Sequence, residues 1–291
     1  MCLIAWRWSP DAPTPILWAA NRDEFAHRAT QAQSVWAFND RQVLSGLDLT
    51  AQPDHNNSAL RGTWAGVNNR GKFAWLTNIR SPNDKNPTAP SRGALVSDYL
   101  TNDLSPQAMI AQIGPKSQRY NGFNLVLGQV SVTNKYSSEC WHYHSRRNAA
   151  RALPAGVYGL SNADLDTPWP KTLDLVHAMN MAGLSVTADG PQAAHEAMLL
   201  DALSQRRIYE ADRLPSTGLS IEREQVLSAA FIAAQLANPL APLSPEQAIA
   251  YGTRSSSVAW YHAGQFTQIE HTFNATGAQT LGSKLHLTTL G

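Results

Sequence analysis

MCLIAWRW at residues 1–8 and PILWAANRDEF at 15–25 frame the six residues SPDAPT. Two short apolar runs split by Ser, Pro and Asp are a hairpin signature, so strands are expected over 2–8 and 15–20. The return strand then ends in the packed polar run Asn21, Arg22, Asp23 and Glu24. An antiparallel return over this spacing brings those four residues to the sheet end that holds Cys2. Cysteine directly behind the start methionine has a chemical consequence. Methionine is commonly trimmed when so small a residue follows, which leaves Cys2 with a free α-amine. That amine has an ordinary pKa of about 7.7–8 and can take the proton of its own thiol, so nucleophile and base share one residue. A carboxylate nearby can hold the α-ammonium, and an arginine can lower the thiol pKa or fix a substrate carboxylate. The bland alternative is a small apolar residue in a first strand, followed by a solvated turn capped by Asn21.

Outward from this hairpin the chain reads as strands, then helices, then strands. GTWAGVN at 62–68 and KFAWLTNI at 72–79 flank a tight turn at Asn69, Arg70 and Gly71. The polar stretches 48–61 and 81–91 read as loops, the second leading into a helix at 92–101 with Ser91 as its cap, and a short helix follows near 106–112. Strand character returns at 121–130, 139–145 and 156–161. Residues 169–182, 191–207 and 222–236 carry apolar positions three and four apart, the helical period. The tail reads as a hairpin, 254–262 and 265–274, closed by Ala263 and Gly264. This order favours an α+β fold with antiparallel sheets and helices layered outside. Trp6, Trp8, Trp18, Trp64 and Trp75 fall on the expected strands and suit an interface between two sheets.

The 291 residues are 43% hydrophobic and suffice for one large core, so a single domain over 1–291 is expected. With 23 Lys and Arg against 22 Asp and Glu, a net charge of +1 offers no funnel toward nucleic acid. Two cysteines, Cys2 and Cys140, make no disulfide framework. With no leader-like start and no apolar run of membrane-spanning length, the expectation is a cytoplasmic protein. No metal-ligand spacing or phosphate-loop pattern occurs, and no cofactor is required.

MCLI at 1–4, AANRDEF at 19–25, LSGLD at 44–48, GTWAGV at 62–67, RGKFAWLTN at 70–78, YNGFNLV at 120–126, YGLSNADLDTPWPK at 158–171 and YGTRSSSV at 251–258 together resemble the NRDE, or transport and Golgi organisation 2, family. Its N-terminal layout is similar to that of the N-terminal nucleophile hydrolases, in the branch of penicillin V acylase and bile salt hydrolase. The resemblance implies a four-layer αββα sandwich with a pocket at the Cys2 end. It also implies catalytic roles for Cys2 as nucleophile and base, Asp23 as the carboxylate orienting its amine, Asn162 as an oxyanion donor and Arg254 as an active-site arginine. In that branch an arginine stands three residues before the aspartate. Here that place is Ala20, and the arginine is Arg22, adjacent to Asp23. Asn21, Arg22 and Glu24 are candidates for substrate binding, as is Asn121 at the start of a strand, where turn chemistry is an equal explanation.

Two functions follow as expectations from the resemblance. One is a cysteine amidohydrolase acting on a non-peptide C–N amide bond of a small molecule. The other is a carrier that holds haem, or an acyl-CoA or lipid, in the same pocket without bond cleavage. Haem has thin support in the residues: His142 and His144 alternate on one expected strand, and the other seven histidines are scattered. Arg146, Arg147 and Arg151 form a small basic cluster that suits either phosphate or propionate groups or a solvated loop.

Overall fold

The computed structural model describes residues 2–50, 60–131, 137–237 and 248–290. The opening hairpin forms as the sequence predicts, with β1 (Cys2–Trp8) antiparallel to β2 (Ile16–Phe25). β2 is longer than expected, because a third strand supports it on its other side. β12 (Ala248–His262) pairs with β2 out to Phe25, so NRDE lies inside the sheet rather than beyond it. The remaining strands of this first sheet are β10 (Gly156–Leu160), β11 (Ala233–Ala237), β13 (Gln265–Phe273) and β14 (Gln279–Thr288). Its path runs β10-β1-β2-β12-β13-β14, with β11 on β12. The second sheet is a meander from β3 (Thr30–Phe38) through β4 (Arg41–Asp48), β5 (Ala65–Asn68), β6 (Lys72–Asn78), β7 (Phe123–Gln129) and β8 (Glu139–His144) to β9 (Ala149–Ala152).

Alternation along the strands sorts the side chains into three apolar layers. Ile4, Trp6, Trp8, Ile16 and Trp18 of the first sheet meet Leu44, Val67, Phe73, Trp75 and Val126 of the second. Four tryptophans fill this interface as expected: Trp6 meets Trp75 edge-on with ring centroids 5.3 Å apart, and Trp18 lies 5.4 Å from the same ring. Trp64 is the exception and is placed at the end of the sandwich. The outer face of the first sheet, with Leu3, Ala5, Leu17 and Ala19, packs on α3 (Pro170–Ser185) and α4 (Ala193–Ser204). The outer face of the second, with Ala74, Leu125 and Leu127, packs on α1 (Gly93–Thr101) and α2 (Pro106–Ile113). The layer order is therefore α, β, β, α.

Two expectations are corrected. Residues 222–236 do not form one helix: α5 (Ile221–Val226) stops early and the chain turns into β11. Ala-rich sequence fits both periods, and here Ile232 is taken by Thr253, whose hydroxyl accepts its N–H at 2.9 Å. Ser91 does not cap α1, whose cap position is Arg92 without a side-chain bond, whereas Ser105 caps α2 by accepting from the N–H of Ala108. Strands β3, β4, β9 and β14 had no clear sequence signal. Three of them lie at sheet edges, and β9 and most of β14 face water, where polar side chains blur the alternation. The final hairpin turns as expected, with Ala263 and Gly264 both at positive φ, 47° and 78°. The stretch 48–61 lies mostly outside the described residues.

Gly128 sits where a Cβ would be driven into the ring of Phe73 in the inter-sheet layer. Gly128→Ala should therefore lower stability by about 1–3 kcal/mol through overpacking, read by urea denaturation; an unchanged midpoint would show that Phe73 has room to move.

Candidate functional site

The site is built on the register of β2. Cys2 stands opposite Arg22, and Leu3 opposite Asn21. On the other side of β2, Thr253 stands opposite Asp23 and Ser255 opposite Arg22, so Arg254 is the extra residue of a β-bulge beside both. β10 pairs Leu160 with Ile4 as its last pair with β1, and Ser161 and Asn162 follow the end of the strand. Residue 2, Arg22, Asp23 and Arg254 thus share one end of the first sheet.

Alternation then divides the NRDE residues between two faces. Asn21 and Asp23 point to the α3–α4 side, where both are fully buried. The amide nitrogen of Asn21 donates to the carbonyls of Leu203 and Ala230, each at 2.8 Å, and its oxygen accepts from the Ser256 hydroxyl at 2.6 Å. Every strong valence of Asn21 is spent on the fold, which corrects its placing as a substrate contact. Asp23 accepts from the Thr253 hydroxyl at 2.8 Å. Burial pushes its carboxyl up, opposed by the charges of Lys171 and of the chain's amino terminus, by the Thr253 bond and by Arg80. Neither Lys171 nor Arg80 stood out in the sequence. Lys171 follows Pro170 at the start of α3 and lies 2% exposed, its Nζ donating to the Leu227 carbonyl at 2.8 Å. Arg80 is ion-paired with buried Glu224, and its guanidinium lies 4.8 Å from the centre of the Trp169 ring.

Arg22 and Glu24 take the opposite face and line a cleft of about 810 Å³ at the end of the sandwich. Ala20 packs against the inter-sheet core, so Arg22 is displaced from that position by one pleat along the same face, not to the other side. Its guanidinium lies 4.3 Å from the centre of Trp64, donates to the Thr30 hydroxyl at 3.1 Å and faces Asp48 at 4.0 Å. Burial would raise Glu24, but the amino-terminal charge, Arg28 and Arg22 outweigh it and hold it below its ordinary value. Leu76, Leu95, Met109, Ile113 and Tyr120 are among its apolar lining residues, and Lys85, Arg92, Lys116 and Arg119 among its basic ones.

Asn162 is buried; its amide donates to the Asn78 carbonyl at 2.8 Å, and Asn78 in turn lines the cleft. Asn78 closes the stretch RGKFAWLTN, where its position at the last residue of β6 was the available signal. Arg254 is half-buried, its pKa lowered by burial and by the like charge of Arg22, and its Nε has no hydrogen-bond partner among the described residues. Asn121 is on the cleft wall rather than at the β2 end: it clasps Asn86, accepting its N–H at 2.7 Å and donating to its carbonyl at 2.8 Å. His142 is buried and bonded to the Asn124 oxygen at 3.0 Å, and burial lowers its pKa to about 4. His144 is also buried, with Nδ1 accepting from the Arg147 N–H at 3.2 Å. Both rings serve the second sheet, away from the cleft lining. Among the described residues no cluster of His, Cys, Asp or Glu suits a metal, and no helix is long and apolar enough to cross a membrane.

The Thr253 hydroxyl is the hinge of the buried layer, since it donates to Asp23 and accepts from Ile232. Thr253→Val keeps the shape and removes both bonds. A loss of about 1–3 kcal/mol is expected in chemical denaturation, and a neutral result would show that neither bond orders this end of the sheet.

A solved structure of a mutant conjugated bile acid hydrolase from Clostridium perfringens is similar over 98% of this chain and 92% of its own, at 9% identity and a TM-score of 0.48. The Transport and Golgi organization 2 homolog of Mus musculus is 30% identical over 262 residues, which is 89% of this chain and 87% of that protein. The homologue from Bos taurus is 37% identical over 175 residues, 59% of this chain and 60% of that protein. The profile of the family described as Transport and Golgi organisation 2 matches residues 1–275. The chain belongs to the Transport and Golgi organisation 2 family.

Proposed function

We propose that the chain is a cysteine amidohydrolase acting on a small-molecule amide, with Cys2 as nucleophile at the inner end of the cleft. One observation carries the reading: β2 pairs Arg22 directly with Cys2, so fully buried Asp23 and cleft-lining Glu24 stand one and two residues beyond the partner of Cys2 on the same strand. With Met1 removed, the amino-terminal charge belongs to Cys2 itself. The α-amine takes the thiol proton as sulfur attacks the amide carbon. The tetrahedral intermediate collapses to a thioester, and the departing nitrogen leaves with the proton as a neutral amine. Water then adds to the thioester, the amine accepts its proton, and the carboxylic acid and the thiol are released. Asp23 orients the amine, and Asn162 is the donor for the oxyanion, in an environment where such a donor is worth about 3–4 kcal/mol. Arg22, Glu24 and Arg254 supply charge around the substrate.

A second reading has its own observation. The apolar lining residues Leu76, Leu95, Met109, Ile113 and Tyr120, together with the basic residues Lys85, Arg92, Lys116 and Arg119 of the same lining, suit a ligand with an apolar body and anionic groups. This is the chemistry of an acyl-CoA, a lipid or haem held as cargo, bound without being cleaved.

Cys140 provides an internal control, because it is 1% exposed and burial pushes its thiol far up. At pH 7 a small alkylating probe should modify Cys2 at least about tenfold faster than Cys140, and Cys2→Ser should abolish the label. Equal labelling of the two, or none, contradicts an activated nucleophile. Saturable binding of haem or a long-chain acyl-CoA by the unlabelled Cys2→Ser protein, with no product formed by the wild type, would leave the carrier standing.

A further inference from the structure

A second, much smaller space lies between the two sheets, behind the inner end of the cleft. It measures about 20 Å³, and its lining includes Ala20, Ser255, Ser257 and Gln268 from the first sheet and Ala65 and Trp75 from the second. Arg22, Trp64 and Leu76 line both this cavity and the cleft, so the Arg22–Trp64 stack stands between the two spaces.

The strand register explains why the space is there. β12 places Ser257 opposite Ala20 and Ser255 opposite Arg22, and β13 places Gln268 opposite Ala259. In the second sheet the neighbour of Trp75 on β5 is Ala65. Small side chains thus meet at one spot in a layer that is otherwise filled by tryptophan, phenylalanine and branched aliphatic groups. Two polar groups in this lining are buried without a protein partner. The indole N–H of Trp75, a residue 2% exposed, and the amide oxygen of Gln268, a residue 3% exposed, make no hydrogen bond among the described residues. One is a donor on the second sheet, and the other is an acceptor on the first. The main chain of Gln268 is by contrast engaged, its carbonyl accepting from the Gln33 amide at 3.2 Å.

We propose that this cavity is a binding site for one internal water, which accepts from the Trp75 indole, donates to the Gln268 amide oxygen and so bridges the two sheets behind the Arg22–Trp64 stack. The space exceeds the roughly 10–15 Å³ that a single water requires, and the polar lining supplies the partners that keep a buried water in place. Burying either group alone would carry its full desolvation cost, whereas a water between them serves as acceptor and donor at once. The Ser255 and Ser257 hydroxyls of the same lining offer partners for its remaining hydrogen and lone pair. Such a water fixes Trp75 and Gln268 behind the cleft whether the ligand in front is cleaved or carried, so it stands apart from both functional readings.

Magnetic resonance of the full chain, made with isotope-labelled tryptophan, tests the site in solution. The indole signal of Trp75 is identified by its loss in Trp75→Phe. A rotating-frame Overhauser contact between that indole proton and water is expected in the wild type. Gln268→Met keeps the length of the stem and removes the acceptor, so the contact should be lost there. No contact in the wild type, or one of equal strength in Gln268→Met, overturns the bridge. A crystal structure of the wild type decides the same point without a variant. Density for one water within about 3.2 Å of both Nε1 of Trp75 and Oε1 of Gln268 supports the site. No density there, or direct bonds from those two atoms to protein groups, contradicts it.

Discussion

Everything at this end of the molecule depends on β2 being a shared strand. It is paired to β1 on one side and β12 on the other out to the NRDE residues, so four polar side chains are held in strict alternation within a sheet. Asn21 and Asp23 are thereby forced into the layer beneath α3 and α4, and Arg22 and Glu24 into the cleft. Buried polar groups are expensive unless they are bonded, and the structure meets that demand in full for Asn21 and with counter-charges for Asp23. Residues 227–232 supply the backbone groups that Lys171, Asn21 and Thr253 bond.

The division between faces gives the two functional readings a common physical basis. Asn21 and Asp23 belong to the helix-side layer, while Arg22 and Glu24 line the cleft. A carrier needs only the second, with the Arg22–Trp64 stack and the apolar lining residues. A hydrolase needs both, and the burial of Asp23 near the amino terminus is what the carrier leaves without a use.

Much of this was legible in the residues. The opening hairpin, the tryptophan interface and the closing turn at Ala263 and Gly264 follow from short-range periodicity and turn chemistry, which act locally. The roles expected of Cys2, Asp23, Asn162 and Arg254 came from the family resemblance, since nothing local links residues so far apart in the chain. Lys171, Arg80 and Glu224 were missed because a buried charge is recognised only by what surrounds it. In the sequence each is an ordinary polar residue of a loop end or first helical turn. Asn21 was misjudged for the same reason: a polar residue beside a charged cluster suggests a ligand contact until its partners, Leu203, Ala230 and Ser256, come from elsewhere. The helix expected over 222–236 failed because an alanine-rich run carries no strong period, and pairing with β12 decided its form.

The intact mass of the native protein, made without an N-terminal tag, tests the central claim most directly. The account predicts a mass short by one methionine residue, leaving the α-amine on Cys2. A mass that retains Met1 would lock that nitrogen in a peptide bond and contradict it.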